Sequence, residues 1–324
     1  MNSLISIWAD RRANWVTFAL WGLATAFVAY VFVAGGYLIT VLQFALIYTV
    51  LVTGLNVFMG FTGQVSFGHN AFAAIGGYSS AVLAATYGWE PLPAGLVGLA
   101  GSLIVAFIIG YPVLRLRGHY LAMATLAIGL IVYEVAVQWQ SVTQGYMGIS
   151  GIPPIGIGRW SIMSDRGLLA FLLLAAALAL LSAAGIRRSR LGRAFVAAAG
   201  SEDAARALGI DVARYKLIAF MISAAYASIA GSLFAYTVGF VSPEVFGLQM
   251  VVLAFTMLYV GGLGTVTGPA LGAIIISVLP ESFRAFKDYQ DLAYGAALIV
   301  ILIYAPRGLA SLPDLWGKWR RRTA

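Results

Sequence analysis

The sequence predicts an all-α, polytopic integral membrane protein with about ten transmembrane helices and with both termini in the cytoplasm. Hydrophobic residues make up 61% of the 324-residue chain and charged residues only 10%, against about 45–50% and about 25% in a typical soluble domain. So few charges cannot form the polar surface that a soluble globule of this length requires. We therefore expect residues 1–324 to form a single transmembrane domain in a lipid bilayer.

Ten apolar runs alternate with short polar or Gly/Pro-rich breaks, and most approach the roughly 20 residues that a helix needs to cross a bilayer. The first run is expected to be a retained helix, because no small-residue cleavage site precedes the next polar stretch. The eighth and ninth runs are short, so broken or re-entrant helices at these two places remain an alternative. The runs are 15–34, 37–59, 64–86, 94–114, 120–139, 167–186, 215–239, 248–263, 268–283 and 290–305.

The basic residues predict the orientation of these helices, because cytoplasmic loops of membrane proteins are enriched in Lys and Arg. With the N-terminus inside, the outer loops contain only Arg159, Arg166, Arg284 and Lys287. The inner loops and termini contain the other basic residues, which are Arg11, Arg12, Arg115, Arg117, Arg187, Arg188, Arg190, Arg193, Arg206, Arg214, Lys216, Arg307, Lys318, Arg320, Arg321 and Arg322. An even number of crossings preserves this asymmetry.

Several functional classes are disfavoured by composition. The net charge of +8 comes from residues at the ends of apolar runs, which is the pattern of loop anchors rather than of a nucleic-acid-binding surface. The chain has no cysteine, which excludes disulfides and thiolate metal sites. No Gly-x-x-x-x-Gly-Lys-[Ser/Thr] phosphate loop and no nucleophile with an adjacent base occur. We expect no catalytic residue, metal or cofactor in this chain.

Two polar segments are too long to be simple turns. The outer segment, 140–166, is rich in Gly and Pro, which favours an ordered, turn-rich lobe. The inner segment, 187–214, contains a short helix signal: Ser201 is a capping residue, two acidic residues follow it, and Gly209 ends the pattern. This helix is either a solvated connector or a docking element for a partner. The candidate docking residues are Glu202, Asp203, Ala204, Ala205, Gly209 and Asp211.

The Gly-rich stretch 54–78 places polar side chains at membrane depth, where they are costly unless they face protein or water. Transporters use such glycines and polar groups along a substrate pathway, whereas the alternative is that they only pack helices together. Glu134 is either a contact for a substrate ammonium group or an interfacial residue. The candidate pathway residues are Gln64, Ser66, Gly68, His69, Asn70, Glu134, Gly261 and Gly262.

Four motifs in the same order resemble those of the permeases of branched-chain amino acid (LIV-type) ABC importers, specifically the M-type subunit. They are GQVSFGH at 63–69, LRGHYLA at 116–122, GISGIP at 148–153 and GGLGTVTGPALG at 261–272. The stretch EDAARALG at 202–209 is similar to the coupling helix of ABC importer permeases. There the family pattern Glu-Ala-Ala-x-x-x-Gly is met by Asp203, Ala204, Ala205 and Gly209, with Glu202 one place earlier.

The resemblance implies a subunit in the bacterial inner membrane that forms half of a translocation pathway. Its partners would be a second permease of the same superfamily, two ATP-hydrolysing subunits that contact the coupling helix, and a substrate-binding protein on the outer face. Branched-chain or other hydrophobic amino acids are the expected substrates, with urea, short amides or aromatic carboxylates as the alternative. An ion-coupled secondary transporter is a further alternative, because sodium coordination by backbone carbonyls leaves no sequence signal.

Overall fold

The computed structural model describes residues 35–157, 160–162 and 164–282, together with residues 22, 25, 30–32, 295, 299, 303, 308 and 309. The predicted first and tenth crossings, 15–34 and 290–305, fall almost entirely outside the described residues. The helices in the described part of the chain are α1 (Tyr37–Thr62), α2 (His69–Ala81), α3 (Pro91–Val113), α4 (His119–Gln138), α5 (Gln140–Thr143), α6 (Asp165–Arg188), α7 (Arg190–Gly200), α8 (Glu202–Ala207), α9 (Val212–Val238), α10 (Leu248–Gly261) and α11 (Gly268–Ser282).

Five of these helices, α1, α3, α4, α6 and α9, are long and apolar enough to cross a membrane. The described residues therefore form an all-α membrane protein, as predicted. Helices α10 and α11 match the eighth and ninth predicted runs. Helix α10 has only 14 residues, which is shorter than the roughly 20 residues of a complete helical crossing, and α11 is described as far as Ser282.

Helices α1 and α9 lie at the centre of the bundle, with α2 packed between α9 and α3. Small residues allow this close packing, as in other membrane helices. Gly231 of α9 lies directly against the backbone carbonyl of Ala73 in α2, and Gly54 of α1 lies against Tyr226 of α9. The outer helices α3, α4 and α6 bury only one face and expose apolar side chains on the other.

The third predicted run begins at residue 64, but the helix itself begins at His69. Residues 63–68 form a non-helical linker between α1 and α2. Gly63 takes a left-handed conformation with φ of 69° and ends α1 by donating from its backbone N–H to the carbonyl oxygen of Met59 over 3.0 Å. Glycine adopts this φ readily whereas other residues do not, so Gly63 is suited to end the helix here.

The segment predicted as a turn-rich lobe contains α5, a 3₁₀ turn at Gly145–Met147 and the short strands β1 (Ile149–Ser150), β2 (Gly156–Ile157) and β3 (Trp160–Ser161). Strand β2 pairs antiparallel with β3, and β1 pairs antiparallel with β4 (Phe240–Val241), which follows α9. The lobe is thereby fixed to the end of α9. We call this the lobe end of the bundle; the opposite end, formed by residues 62–68, 114–118 and 188–212, is the basic end.

The inner segment 187–214 holds one more helix than the sequence predicted. Helix α7 is amphipathic and buries Phe195 against the bundle. Ser189 caps it by accepting a hydrogen bond from the backbone N–H of Gly192. The predicted short helix follows as α8, with the side chain of Ser201 accepting from the backbone N–H of Ala204 over 3.3 Å and with Gly209 at φ of 81°.

Candidate functional site

The linker 63–68 meets the short helix α8 at the basic end. Gln64 is buried, and its side-chain Nε2 donates a hydrogen bond to Oε1 of Glu202 over 3.1 Å. The neighbouring Gly63 lies in contact with Ala199 of α7. The first half of the Gly-rich motif therefore lies against α7 and α8.

The carboxylate of Glu202 receives cationic side chains from three separate parts of the chain. Lys216 in the second turn of α9 binds Oε1, Arg206 of α8 binds Oε2 over 3.3 Å, and Arg117 from the loop between α3 and α4 lies 3.7 Å from Oε2. The side chain of Lys216 is only 3% exposed and that of Glu202 is 17% exposed. A buried ammonium group needs such a partner, because an unpaired charge in the interior is strongly unfavourable.

The surroundings of Glu202 favour its charged form. Burial by itself raises the pKa of Glu202, but the hydrogen bond and charge of Lys216, the hydrogen bond of Gln64 and the charge of Arg117 together lower it below the usual value. At neutral pH the carboxylate is therefore ionised, and it can hold α8, α9 and the linker 63–68 together.

The second half of the motif contacts α4. The backbone N–H of Phe67 donates to Oγ1 of Thr125 over 3.0 Å, and Gly68 lies against the carbonyl oxygen of Thr125 so closely that no side chain would fit. Ser66 is fully buried between these contacts. The linker is thus held by α8 at one end and by α4 at the other.

His69 and Asn70 begin α2, and both are buried. The ring Nε2 of His69 pairs with the hydroxyl of Ser223 in α9, which in turn donates to the carbonyl oxygen of Gly54 in α1 over 2.6 Å. The side-chain Nδ2 of Asn70 donates to the carbonyl oxygen of Phe246 over 2.9 Å. Within this chain, both side chains form hydrogen bonds between helices.

The remaining candidate pathway residues lie elsewhere in the bundle. Glu134 is exposed near the lobe end of α4, where Oε1 accepts a hydrogen bond from Gln138. It is nine residues beyond Thr125, which corresponds to about 13 Å along a helix. Gly261 and Gly262 are buried at the end of α10, where Gly261 packs against Gly268. The structure therefore groups the residues of the 63–70 motif but does not join Glu134 to them.

The two faces of α8 differ in exposure. Ala205 is buried against Ala198 and Val212, whereas the side chain of Asp203 is 80% exposed and Leu208 is 81% exposed. Ala204 and Gly209 are also exposed. Asp211, predicted with this helix, instead caps α9 by accepting from the backbone N–H of Arg214 over 3.2 Å.

Sequence reasoning missed Lys216, Arg117 and Arg206 as partners of Glu202. Lys216 had a usable signal, because it is a single cation just inside a long apolar run, and such a charge predicts a buried partner. Arg206 follows Glu202 by four residues, a spacing at which side chains meet on a helix. In the part of the chain that the structure describes, no three His, Asp or Glu side chains are grouped to hold a metal ion.

Comparison with known proteins finds a matching family and several relatives that align with most of this chain. The family described as the permease component of the branched-chain amino acid transport system matches residues 37–305. The permease protein LivM of a high-affinity branched-chain amino acid transport system in Salmonella typhimurium is 37% identical over 317 residues, covering 90% of this chain and 74% of the relative. The protein of the same name in Escherichia coli is 37% identical over 309 residues, covering 87% and 72%. The permease protein LivH, also of Escherichia coli, is 27% identical over 293 residues, covering 83% and 92%.

Proposed function

Because this chain belongs to the family of branched-chain amino acid transport permeases, we propose that it forms half of the translocation pathway of an ATP-driven importer for branched-chain or other hydrophobic amino acids. The resemblance inferred from its motifs is confirmed by the family match and by the LivM relatives. The observation that carries the proposal is α8, a short helix anchored at the basic end and followed directly by an exposed apolar side chain, Leu208.

Helix α8 has the features expected of a coupling helix that docks on an ATP-hydrolysing partner. An isolated helix of six residues is not stable in water, so the bonds of Glu202 to the bundle are needed to hold it in place. Leu208 and Asp203 point away from the bundle, and they would give the partner one apolar and one acidic contact. The ATP would be hydrolysed in that partner.

A second permease subunit is the expected partner within the membrane. The chain is similar both to LivM and to LivH of Escherichia coli, which are named as permease proteins of the same kind of transport system. This supports a pair of related permeases with the pathway between them. In that arrangement Gln64, Ser66, Gly68, His69, Asn70, Glu134, Gly261 and Gly262 remain our candidates for residues along or beside the pathway.

The proposed topology has about ten transmembrane helices, of which α10 and α11 would be broken or re-entrant, with both termini in the cytoplasm of a bacterial inner membrane. Two findings support this orientation: α8 and the basic residues Arg117 and Lys216 lie at one end of the bundle, and the lobe lies at the other. The lobe at 140–166 would then face outward, where we propose that it receives the substrate-binding protein. Its attachment to α9 through β1 and β4 would transmit that contact to the centre of the bundle.

The coupling role can be tested with Leu208→Glu in the complete reconstituted complex. A carboxylate at the exposed end of α8 should prevent docking of the ATPase subunits and abolish ATP-driven uptake of leucine into proteoliposomes. Ala213→Glu is the matched control, because it places the same charge at an exposed position in the first turn of α9. Full uptake by Leu208→Glu would show that α8 does not couple transport to ATP. Uptake by the wild-type complex without ATP would instead indicate an ion-coupled carrier.

The substrate is tested most directly through the binding protein that purifies with the complex. Titration of that protein by calorimetry with leucine, valine, urea and an aromatic carboxylate should show tight binding of the branched-chain amino acids. Tight binding of urea or of the aromatic acid alone would contradict the proposed substrate class while leaving the ATP-driven mechanism intact.

A further inference from the structure

The linker 63–68 is a non-helical connection that touches both α8 and α4. Gln64 binds Glu202 of α8 over 3.1 Å, and the backbone N–H of Phe67 binds Thr125 of α4 over 3.0 Å. Only two residues, Val65 and Ser66, lie between these two contacts. We therefore expect a displacement of α8 by several ångströms to move α4 as well, because so short a segment has little slack.

Packing at the two ends of the linker further restricts its movement. Gly63 lies against Ala199 in α7, and Gly68 lies against the carbonyl oxygen of Thr125. The residue that follows Gly68 is His69, which is hydrogen-bonded to Ser223 of α9. The linker thus connects the exposed helix α8 with the buried hydrogen bonds that join α2 to α9.

Lys216 makes a second connection from the same carboxylate. Its buried ammonium group binds Glu202, and its own helix α9 lies at the centre of the bundle. If α8 moves, the ammonium group must follow the carboxylate or remain buried without a partner, and the second outcome is energetically costly. The pair therefore opposes any separation of α8 from α9.

We propose that Gln64 and Lys216 are positioning residues which, through Glu202, make the linker 63–68 and α9 follow α8 when the ATPase subunits change state. This inference rests on the proposed coupling role of α8. It adds that the hydrogen bond from Gln64 carries the movement into the membrane, so that loss of this bond separates ATP hydrolysis from transport without removing the docking surface.

The movement of the linker can be measured directly because the chain contains no cysteine. Val65 lies next to Gln64 and is exposed, so Val65→Cys introduces the only thiol of this subunit. In the reconstituted complex, the rate of maleimide labelling at this thiol should differ between the nucleotide-free and the ATP-trapped states. An identical rate in both states would overturn the proposal.

The role of Gln64 is then tested by adding Gln64→Met, which keeps a side chain of similar length but cannot donate the hydrogen bond to Glu202. We expect the ATPase subunits to remain bound and to hydrolyse ATP, while the nucleotide-dependent difference in labelling disappears. Persistence of the difference would overturn the proposal. Should Gln64→Met fail to assemble, Glu202→Met removes the acceptor of the same hydrogen bond, and the same labelling result is required of it.

Lys216→Gln tests the connection to α9 through the ratio of leucine imported to ATP hydrolysed. We expect this ratio to fall by about tenfold, since coupling between two sites of a protein is commonly worth about 5- to 150-fold. Arg214→Gln is the matched control: it removes a cation two residues earlier in α9, from an exposed position, and should keep the wild-type ratio. An unchanged ratio in Lys216→Gln, or an equal fall in Arg214→Gln, would overturn the proposal.

The experiments distinguish an error in this inference from an error in the proposed function. If the wild-type complex does not import leucine at the expense of ATP, the proposed function is wrong. If the wild-type complex transports and the Gln64 and Lys216 variants transport with the same efficiency per ATP, only the inference about positioning is wrong.

Discussion

The side-chain amide of Asn56 in α1 holds the turn between α10 and α11 by donating from Nδ2 to the carbonyl oxygen of Thr265 over 2.7 Å. The same amide accepts through Oδ1 from the backbone N–H of Gly264 over 2.8 Å. Asn56 is buried and lies six residues before the end of α1, which is about 9 Å along the helix axis. One side chain therefore satisfies a backbone carbonyl and a backbone N–H of the α10–α11 turn, at a level of the bundle about two helical turns before the end of α1.

Replacement of Asn56 by leucine is expected to destabilise the α10–α11 hairpin. The substitution leaves two backbone groups without partners, and each unsatisfied buried group costs about 1–3 kcal/mol. We expect a clear drop in the apparent unfolding temperature, measured by size-exclusion chromatography of the heated protein in detergent. Asn56→Asp should fall between wild type and Asn56→Leu, because it keeps the acceptor for Gly264 and loses the donor for Thr265.

Thr256→Val is the control for this prediction. Thr256 lies in α10 and its hydroxyl donates only to the carbonyl oxygen of Val252, four residues earlier in the same helix. Its loss removes no contact between helices, so the unfolding temperature should be almost unchanged. Equal effects of Asn56→Leu and Thr256→Val would show that the amide does not stabilise the turn.

The features that the sequence predicted well are those that depend on local chemistry. Most helix spans follow from runs of apolar residues, and the bounds of α8 follow from Ser201 as a cap and Gly209 as a residue suited to positive φ. Residues 64–68 of the linker were included in a predicted helix because they are mostly apolar or small. Its departure from helix depends on the conformation of Gly63, and hydropathy does not report this.

The contacts of the site could not be predicted for a different reason. Glu202 is 138 residues from Gln64 along the chain, and only the packed bundle brings them together. Helix α7 was missed because its arginines and glycines resemble a loop, although Phe195 faces the bundle. Of the candidate pathway residues, His69 and Asn70 were predicted to need partners and both have them within the bundle, but the sequence could not distinguish packing from transport.

Close helix packing at Gly231 predicts a large effect of a single methyl group. A side chain at this position would collide with the carbonyl oxygen of Ala73 in α2, and neither backbone can move without disturbing the centre of the bundle. We expect Gly231→Ala to destabilise the protein by about 1–3 kcal/mol, the usual range for overpacking. The same chromatographic measurement of thermal stability applies.

Gly185→Ala provides the matched control, since Gly185 also lies inside a helix, α6, but has open space around it. Alanine is favoured over glycine in helices by about 0.5–1 kcal/mol, so this variant should be as stable as wild type or slightly more stable. If both variants behaved alike, the contact between α9 and α2 would not limit side-chain size.

The anchoring of α8 should depend on pH through Glu202. Its pKa is lowered in the folded protein, so the stabilisation is complete at pH values above the ordinary glutamate pKa of about 4.3 and is lost as the pH falls through the folded value. A nitroxide attached through Leu208→Cys reports the mobility of α8 in its spin-resonance spectrum. We expect no change between neutral pH and about pH 5 and increasing mobility below about pH 4.3.

Two variants show whether Glu202 causes this transition. Glu202→Gln in the same labelled protein should be mobile already at neutral pH, with little further change in acid. Glu90→Gln removes an exposed carboxylate at the start of α3 near the lobe end, and it should leave the transition in place. A transition that survived in Glu202→Gln would have to arise from another group.

The pairing of Glu202 with buried Lys216 predicts strong coupling between substitutions at the two positions. Glu202→Leu leaves the ammonium group of Lys216 buried without a partner and should cost about 3 kcal/mol, measured by unfolding the protein in detergent. Lys216→Met should cost less, because Arg206, Arg117 and Gln64 still bind the carboxylate. The double variant should recover stability relative to Glu202→Leu, with a coupling energy of about 1–3 kcal/mol.

The three variants form a double-mutant cycle, and an exposed ion pair provides its reference. This pair joins Asp203 and Arg206 at 3.2 Å on the same helix. Both of its side chains are largely in contact with solvent, and exposed pairs at this spacing contribute only about 0.3–0.5 kcal/mol. The cycle of Asp203→Ala with Arg206→Ala should therefore be close to additive. If the cycle of Glu202→Leu with Lys216→Met were equally additive, the buried ammonium would not depend on Glu202, and α8 would be held to α9 by apolar packing of Ala205 alone.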